Sequence, residues 1–358
     1  MVVSVVIPAY NAAGVLSQCV SSVLSQDGVE VEVVIVDDGS ADDTLAVATG
    51  FAEADPRVRV VSKPNGGVSS ARNAGLDAAT GEVVVFVDAD DALVPGALSS
   101  VCSRLSYGGV DCLVFGMQVE PPELTPLTLA HRLAPSDGIF EDDVRRLVFR
   151  EHTHPYAFRV AFMRDFLTRN DLRFDETLSL GEDEAFLMVA YGSAHRVITS
   201  SEQLYLYRMS ADSASHKDNE SKALSVKLDK HLRLVESVLT SWKQRGLDRS
   251  CDPDLLNWAL DLLMLDVSRL RPTEQAAFYQ RLWPVLTAYF GPDGGRDVAY
   301  RVTAPCVKAI QRAAFSTSKR FRVPVVSKAL LITFYVTSRG FGAVAERALA
   351  ALRGRGAY

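Results

Sequence analysis

The first hundred residues alternate short Val- and Ile-rich runs with amphipathic stretches, and few folds accommodate that order. Val2–Pro8, Val31–Asp37, Arg57–Ser62 and Glu82–Val87 are continuously apolar rather than alternating, as strands buried on both faces are. Between them the spacing predicts helices over Ala12–Gln26, Asp42–Ala54 and Val68–Ala79, with Ser40–Asp43 supplying N-cap chemistry for the second. Strand–helix alternation at this spacing predicts an α/β domain, a doubly wound and mostly parallel sheet. Such sheets place ligands outside the carboxyl ends of their strands. The polar clusters of this sequence fall at those ends.

Composition narrows the reading further. With 358 residues and 48% hydrophobic side chains the chain can bury a sizeable core, which excludes fibrous and intrinsically disordered classes. Five scattered cysteines without a C-x-x-C pair argue against a disulfide scaffold or a structural zinc and fit a reducing cytosol. The apolar run Val2–Ile7 stops at Pro8 with no basic residues before it, too short for a signal peptide or a membrane span. Charge is unevenly placed: in a chain of net charge −6, residues 301–358 carry eleven Lys and Arg against the single acid Glu346. Two electrostatic characters on one chain point to two kinds of partner.

Five clusters carry candidate chemistry. Ile7-Pro8-Ala9-Tyr10-Asn11 reads as a floor for a planar ligand or as an ordinary strand-to-helix turn. Asp37-Asp38-Gly39-Ser40 places two repelling carboxylates together, which calls for a cation or N–H and O–H donors such as those of a base and ribose; capping explains Ser40 but not both acids. In Asn65-Gly66-Gly67-Val68-Ser69-Ser70-Ala71-Arg72 two glycines open a helix whose first N–H groups suit an anion, with Arg72 placed for a phosphate or an acidic partner. Val87-Asp88-Ala89-Asp90-Asp91 sets three carboxylates beyond a buried strand, a natural place for a hard divalent cation completed by a diphosphate, against the plainer reading of a solvated acidic turn. In Gly181-Glu182-Asp183-Glu184 the acids open a helix, which favours negative charge, and one of them is also a candidate general base.

In this order the segments I-P-A-Y-N, D-D-G-S, N-G-G-V-S-S-A-R-N-A-G, V-D-A-D-D and G-E-D-E-A-F resemble the family 2 glycosyltransferases of GT-A fold, and residues 205–215 resemble the segment that closes their catalytic domain. The resemblance implies a nucleotide-diphosphate sugar donor, foremost a UDP-sugar, and Mg²⁺ or Mn²⁺. It implies that Pro8, Ala9, Tyr10 and Asp38 hold base and ribose, with Arg72 near the nucleotide or sugar. Asp88 and Asp90 match the D-x-D pair, Asp88 toward ribose or sugar and Asp90 toward metal and diphosphate, with Asp88 and His216 as further metal-ligand candidates. Asp183 matches the base of an inverting enzyme, with Glu182 beside it as a helper. The implied layout is a catalytic domain over 1–218, with nucleotide-sugar binding in 1–118 and the acceptor and base part in 119–218, then a helical region over 219–358.

Beyond residue 221 the pattern is helical, broken near Cys251–Pro253, Pro272, Gly291–Gly295 and Arg322–Pro324. The apolar stretch Lys328–Arg339 is too short to cross a bilayer and reads either as a basic segment on an anionic leaflet or as part of a packed bundle. The resemblance favours the leaflet, hence a cytoplasmic protein peripheral on the inner face of the plasma membrane, acting on a glycan or polyprenol-linked glycan in cell-surface polysaccharide synthesis. No nucleic-acid module accompanies the charge, so nucleic acid is not expected as a partner. His152-x-His154 lacks a third soft ligand and precedes Pro155, against a metal there. Two other functions compete: a sugar nucleotidyltransferase, which would carry an N-terminal Gly-rich loop with a basic residue that Met1–Ala13 lacks, and a scaffold of the same fold without turnover.

Overall fold

The structure is a computed structural model that describes residues 1–125, 133–149, 151, 153, 156–209, 224–301 and 303–315. These residues fall into two compact units, one ending at Met209 and one beginning at Leu224. His152, His154, His216 and residues 316–358 lie outside the described residues.

The first unit opens with β1 (Val2–Ala9), α1 (Leu16–Leu24), β2 (Glu30–Asp37), α2 (Thr44–Ala54), β3 (Val58–Ser62), α3 (Val68–Ala78) and β4 (Val83–Phe86). It continues through β5 (Ala92–Leu93), α4 (Ala97–Leu105), β6 (Cys112–Glu120), β7 (Gly138–Glu141), α5 (Val144–Phe149), β8 (Val160–Met163), α6 (Arg164–Arg169), α7 (Glu182–Ser193) and β9 (Arg196–Arg208). The sheet runs β3-β2-β1-β4-β8-β6-β9-β5, with β7 also on β9. The parallel character predicted from the continuous apolar runs is found in β3-β2-β1-β4 and in the β6–β9 pair. The short β8 runs against both neighbours and makes the sheet mixed.

The central strands β1, β2 and β4 are largely apolar because both faces are covered, with Val3, Val5, Ile7, Val33, Ile35, Val83 and Val85 fully buried, whereas the edge strand β3 is partly exposed. From β1 the chain moves outward to β2 and β3, then crosses back to β4 on the other side of β1. That reversal leaves a crevice above the carboxyl ends of β1, β2 and β4, the position where open α/β sheets bind ligands.

Two helices differ from their sequence expectation, for one reason. Helix α1 begins at Leu16 rather than Ala12, because the Ala12 and Ala13 amides donate to Thr44 Oγ1 (2.7 Å) and Asp42 Oδ2 (3.2 Å). Ser40 does not cap α2: its hydroxyl accepts from the Asn11 amide at 3.0 Å, and the Asn11 side chain accepts from Ala41 N at 2.9 Å. Local capping residues are spent lacing the β1 and β2 loops together.

The second unit contains α8 (Leu224–Gln244), α9 (Asp252–Val267), α10 (Pro272–Phe290) and α11 (Ala304–Ala314). Pro253 and Pro272 stand in the first turns of α9 and α10, where a missing N–H costs nothing. Leu228, Leu232, Val235, Val238, Leu239 and Trp242 form the buried stripe of α8. Buried carboxylates are matched by phenols: Tyr289 donates to Asp252 (2.8 Å) and Tyr300 to Asp254 (2.7 Å). Among the described residues no helix is long and apolar enough to cross a membrane.

Packing of α3 onto β1 depends on Gly75, where an added Cβ would lie 2.2 Å from Val6 Cγ1. Val6 is fully buried and β-branched, so it cannot yield by rotation. Gly75→Val should therefore cost about 3 kcal/mol through overpacking, against a few tenths regained from helix propensity. Chemical denaturation of the variant checks this, as a lower midpoint.

Candidate active site

The crevice is built from five chain segments, at 8–11, 37–38, 63–72, 88–91 and 181–183. Parallel register sets Ala9 beside Asp37, and the turn after β4 brings Asp88, Asp90 and Asp91 to the same edge. Tyr10 stands 54% exposed there, with Pro8 half-buried and Ala9 buried beneath it. Asn11 adopts a left-handed conformation (φ 50°), which its short polar side chain tolerates.

Asp38 is buried and its neighbours explain how. Oδ1 meets Lys63 Nζ at 2.7 Å and accepts from Gly66 N at 3.0 Å, while Oδ2 accepts from Gly67 N at 2.7 Å. The amides of Gly66 and Gly67, just before α3, thus hold a carboxylate of the protein itself. Gly39 (φ 70°) allows the close pass, since a Cβ there would lie 2.7 Å from Asn65 N. Lys63 was not singled out by sequence; the surplus acid of the Asp37-Asp38 pair was the available signal that a cation must lie nearby.

The three aspartates after β4 occupy different environments. The Asp88 carboxylate receives Arg72 Nη2 at 2.9 Å, and its amide donates to Tyr205 Oη at 3.1 Å. Asp90 keeps solvent contact, though lost hydration and the charge of Asp88 hold its carboxyl above the ordinary range. Asp91 is buried, accepting from Tyr205 Oη (2.6 Å) and Arg208 N (2.7 Å); burial, with the charge of Asp88, pushes it up to about 8. Asp91 and Tyr205 therefore tie the aspartate loop to β9, a link invisible to sequence because the partners are 114 positions apart.

Asp183 lies in the first turn of α7, after Gly181 in a left-handed conformation (φ 77°). Oδ1 receives Arg72 Nη1 at 2.5 Å and Oδ2 accepts from Ala157 N at 3.0 Å, leaving the side chain 16% exposed. Burial raises its carboxyl above the ordinary range; the Arg72 guanidinium opposes that rise, and the charges of Glu182 and Asp88 add to it. Glu182 stands farther off, 3.9 Å from Arg72 Nη1. One arginine thus brings Asp183 and Asp88 together, and its guanidinium carbon lies over the Phe174 ring, 5.2 Å from the centroid.

Among the described residues no three His, Cys, Asp or Glu side chains converge on one point, so there is no all-protein metal cage. Carboxylate oxygens at a strand end, with Asp90 open to solvent, do fit Mg²⁺ or Mn²⁺, which are held by one or two carboxylates together with phosphate oxygens and water.

A mixed sheet with an acid-lined crevice at its topological switch point, followed by helices, is the GT-A arrangement. The chain shares its fold with TarS of S. aureus, whose structure in complex with UDP-GlcNAc superposes with a TM-score of 0.71 at 22% identity over 88% of each chain. Residues 4–169 match the family model Glycosyl transferase family 2, and the chain accordingly carries a family 2 glycosyltransferase domain. It is 28% identical to the uncharacterized glycosyltransferase EpsJ of Bacillus subtilis over 71% of this chain and 73% of that protein. It is 35% identical to the succinoglycan biosynthesis protein ExoO of Rhizobium meliloti over 60% of this chain and 62% of that protein, spanning less than two thirds of it.

The environment of Asp91 sets a pH dependence. Its carboxyl titrates higher when folded than when unfolded, so its contribution to stability is full below about pH 4 and is lost as pH rises toward 8. Relative to Asp91→Asn, the metal-free wild type should lose stability between those limits. Urea denaturation in EDTA at several pH values checks it; a constant difference would contradict the buried, proton-holding carboxyl.

Proposed function

We propose that this chain transfers a sugar, with inversion, from a UDP-sugar to a hydroxyl of a glycan or polyprenol-linked glycan during cell-surface polysaccharide synthesis. The observation that carries this reading is the meeting of Asp88 and Asp183 on one guanidinium, at 2.9 and 2.5 Å. It sets a carboxylate of the donor loop beside one with the environment of a general base. The names of ExoO and of TarS, a poly(ribitol-phosphate) beta-N-acetylglucosaminyltransferase, support a polymer acceptor.

On this reading Pro8, Ala9 and exposed Tyr10 receive the base, and Asp38, fixed by Lys63 and two amides, the polar edge of base or ribose. Asp88 faces ribose or sugar. Mg²⁺ or Mn²⁺ would be held by Asp90, with Asp88 as a second carboxylate, and supplies neutralising charge to the diphosphate. Asp183 takes the proton of the acceptor hydroxyl as that oxygen bonds to the anomeric carbon, whose bond to the diphosphate oxygen breaks on the opposite face. Glu182, in the same helical turn, reinforces the negative potential at that proton. The division of the chain into a catalytic part over 1–218 and a helical part from 219 belongs to the same proposal, as does a basic segment from 301 that meets an anionic leaflet.

A thermal-shift series with UDP-, GDP- and dTDP-sugars, each with and without Mn²⁺, tests the donor, since a ligand bound only by the folded state raises the melting temperature. A Mn²⁺-dependent shift with the UDP-sugars is expected; no shift with any donor would replace the reading by a scaffold without turnover. Asp90→Ala should abolish the metal-dependent shift. Asp183→Asn should keep it and lose transfer by about two to four orders of magnitude, the range of general base catalysis. Equal loss of donor affinity in both variants would contradict these roles. Deleting residues 320–358 should weaken sedimentation with anionic liposomes, and unchanged sedimentation would reject the leaflet contact.

A further inference from the structure

Arg72 is held in an arrangement unlike that of a donor ligand. Its side chain is 4% exposed, and its two terminal nitrogens are each committed to a carboxylate: Nη1 to Asp183 and Nη2 to Asp88. The two acids lie 111 and 16 positions away in sequence. Nε is buried without a hydrogen-bond partner, a cost the protein bears to keep the fork in this orientation. Phe174, over which the guanidinium lies, stacks in turn on Phe186 of α7 at 4.0 Å, so the ring layer fixes the arginine to the helix that carries Asp183. A single ion pair would need one carboxylate. A planar fork holding two, one from each side of the crevice, sets their separation.

We propose that Arg72 is a positioning residue: it registers the base Asp183 against the donor-loop acid Asp88, and does not itself bind the nucleoside diphosphate of the donor. The role rests on the glycosyl-transfer reading above. It differs from the donor contact that the resemblance implies for Arg72, because a guanidinium walled in by two carboxylates and an aromatic ring offers a diphosphate little access.

The experiment uses the full chain with Mn²⁺, UDP affinity by calorimetry, and turnover as UDP released from the UDP-sugar that gives the largest thermal shift. Arg72→Lys keeps a cation but loses the fork; it should retain UDP affinity while turnover falls by about 10²-fold, the cost of misplacing a reacting group by about an ångström. Arg72→Gln, which leaves both carboxylates without a cation, should fall further, with lysine therefore acting as partial rescue. If Arg72→Gln fails to melt cooperatively, Arg72→Lys alone carries the test. Loss of UDP affinity in step with turnover, or unchanged turnover in Arg72→Lys, would overturn the positioning role alone. Wild-type protein that neither binds nor releases UDP would overturn the glycosyl-transfer reading and this role with it.

Discussion

The crevice is organised around one buried cation. Arg72, from the first turns of α3, lies between Asp88 beyond β4 and Asp183 in α7. Removing three charged groups from water is expensive, and such a set persists only when each charge is matched and hydrogen-bonded. Here the matching is nearly complete: Asp183 also accepts from Ala157 N, Asp88 anchors its backbone on Tyr205, and the guanidinium rests on Phe174. Three stretches far apart in sequence meet there: Arg72 and Asp183 come from the starts of two helices and Asp88 from a strand end.

The nucleotide end follows the same logic on a smaller scale. A helix N-terminus presents free amides and a positive dipole, and an anion must satisfy them. Just before α3 the Gly66 and Gly67 amides are taken by Asp38, joined by Lys63, which fixes the glycine turn that leads into the helix. Ser40 is likewise diverted from capping to joining the β1 and β2 loops, a link that Asp42 and Thr44 share. Rigidity at this edge comes from polar groups that a sequence reading assigns to ligands or helix ends. In the helical unit Asp252 is satisfied by the Tyr289 hydroxyl together with Arg249, and Asp254 accepts from the Tyr300 hydroxyl.

Several elements were legible from the sequence because they depend on local periodicity. Continuous Val and Ile runs forced β1 to β4 into a doubly covered parallel sheet, and the strand-end motifs then had to share one edge. The acidic clusters at 88–91 and 182–184 could be recognised because unbalanced carboxylates near buried strands demand compensation. The antiparallel course of β8 and the late start of α1 could not be, since neither depends on its own residues: β8 is set by its neighbours β4 and β6, and α1 by side chains of the next loop.

By itself the sequence determined the class of fold, the edge at which chemistry occurs and the residue types available there, because periodicity and charge frustration are properties of short segments. Only the tertiary structure decided which acid meets which base. That Arg72 serves Asp88 and Asp183, that Asp38 takes the Gly66 and Gly67 amides, and that Asp91 accepts from Tyr205 are facts of through-space distance. Electrostatic energies depend on separation and on the water excluded by surrounding protein, and no one-dimensional pattern specifies either.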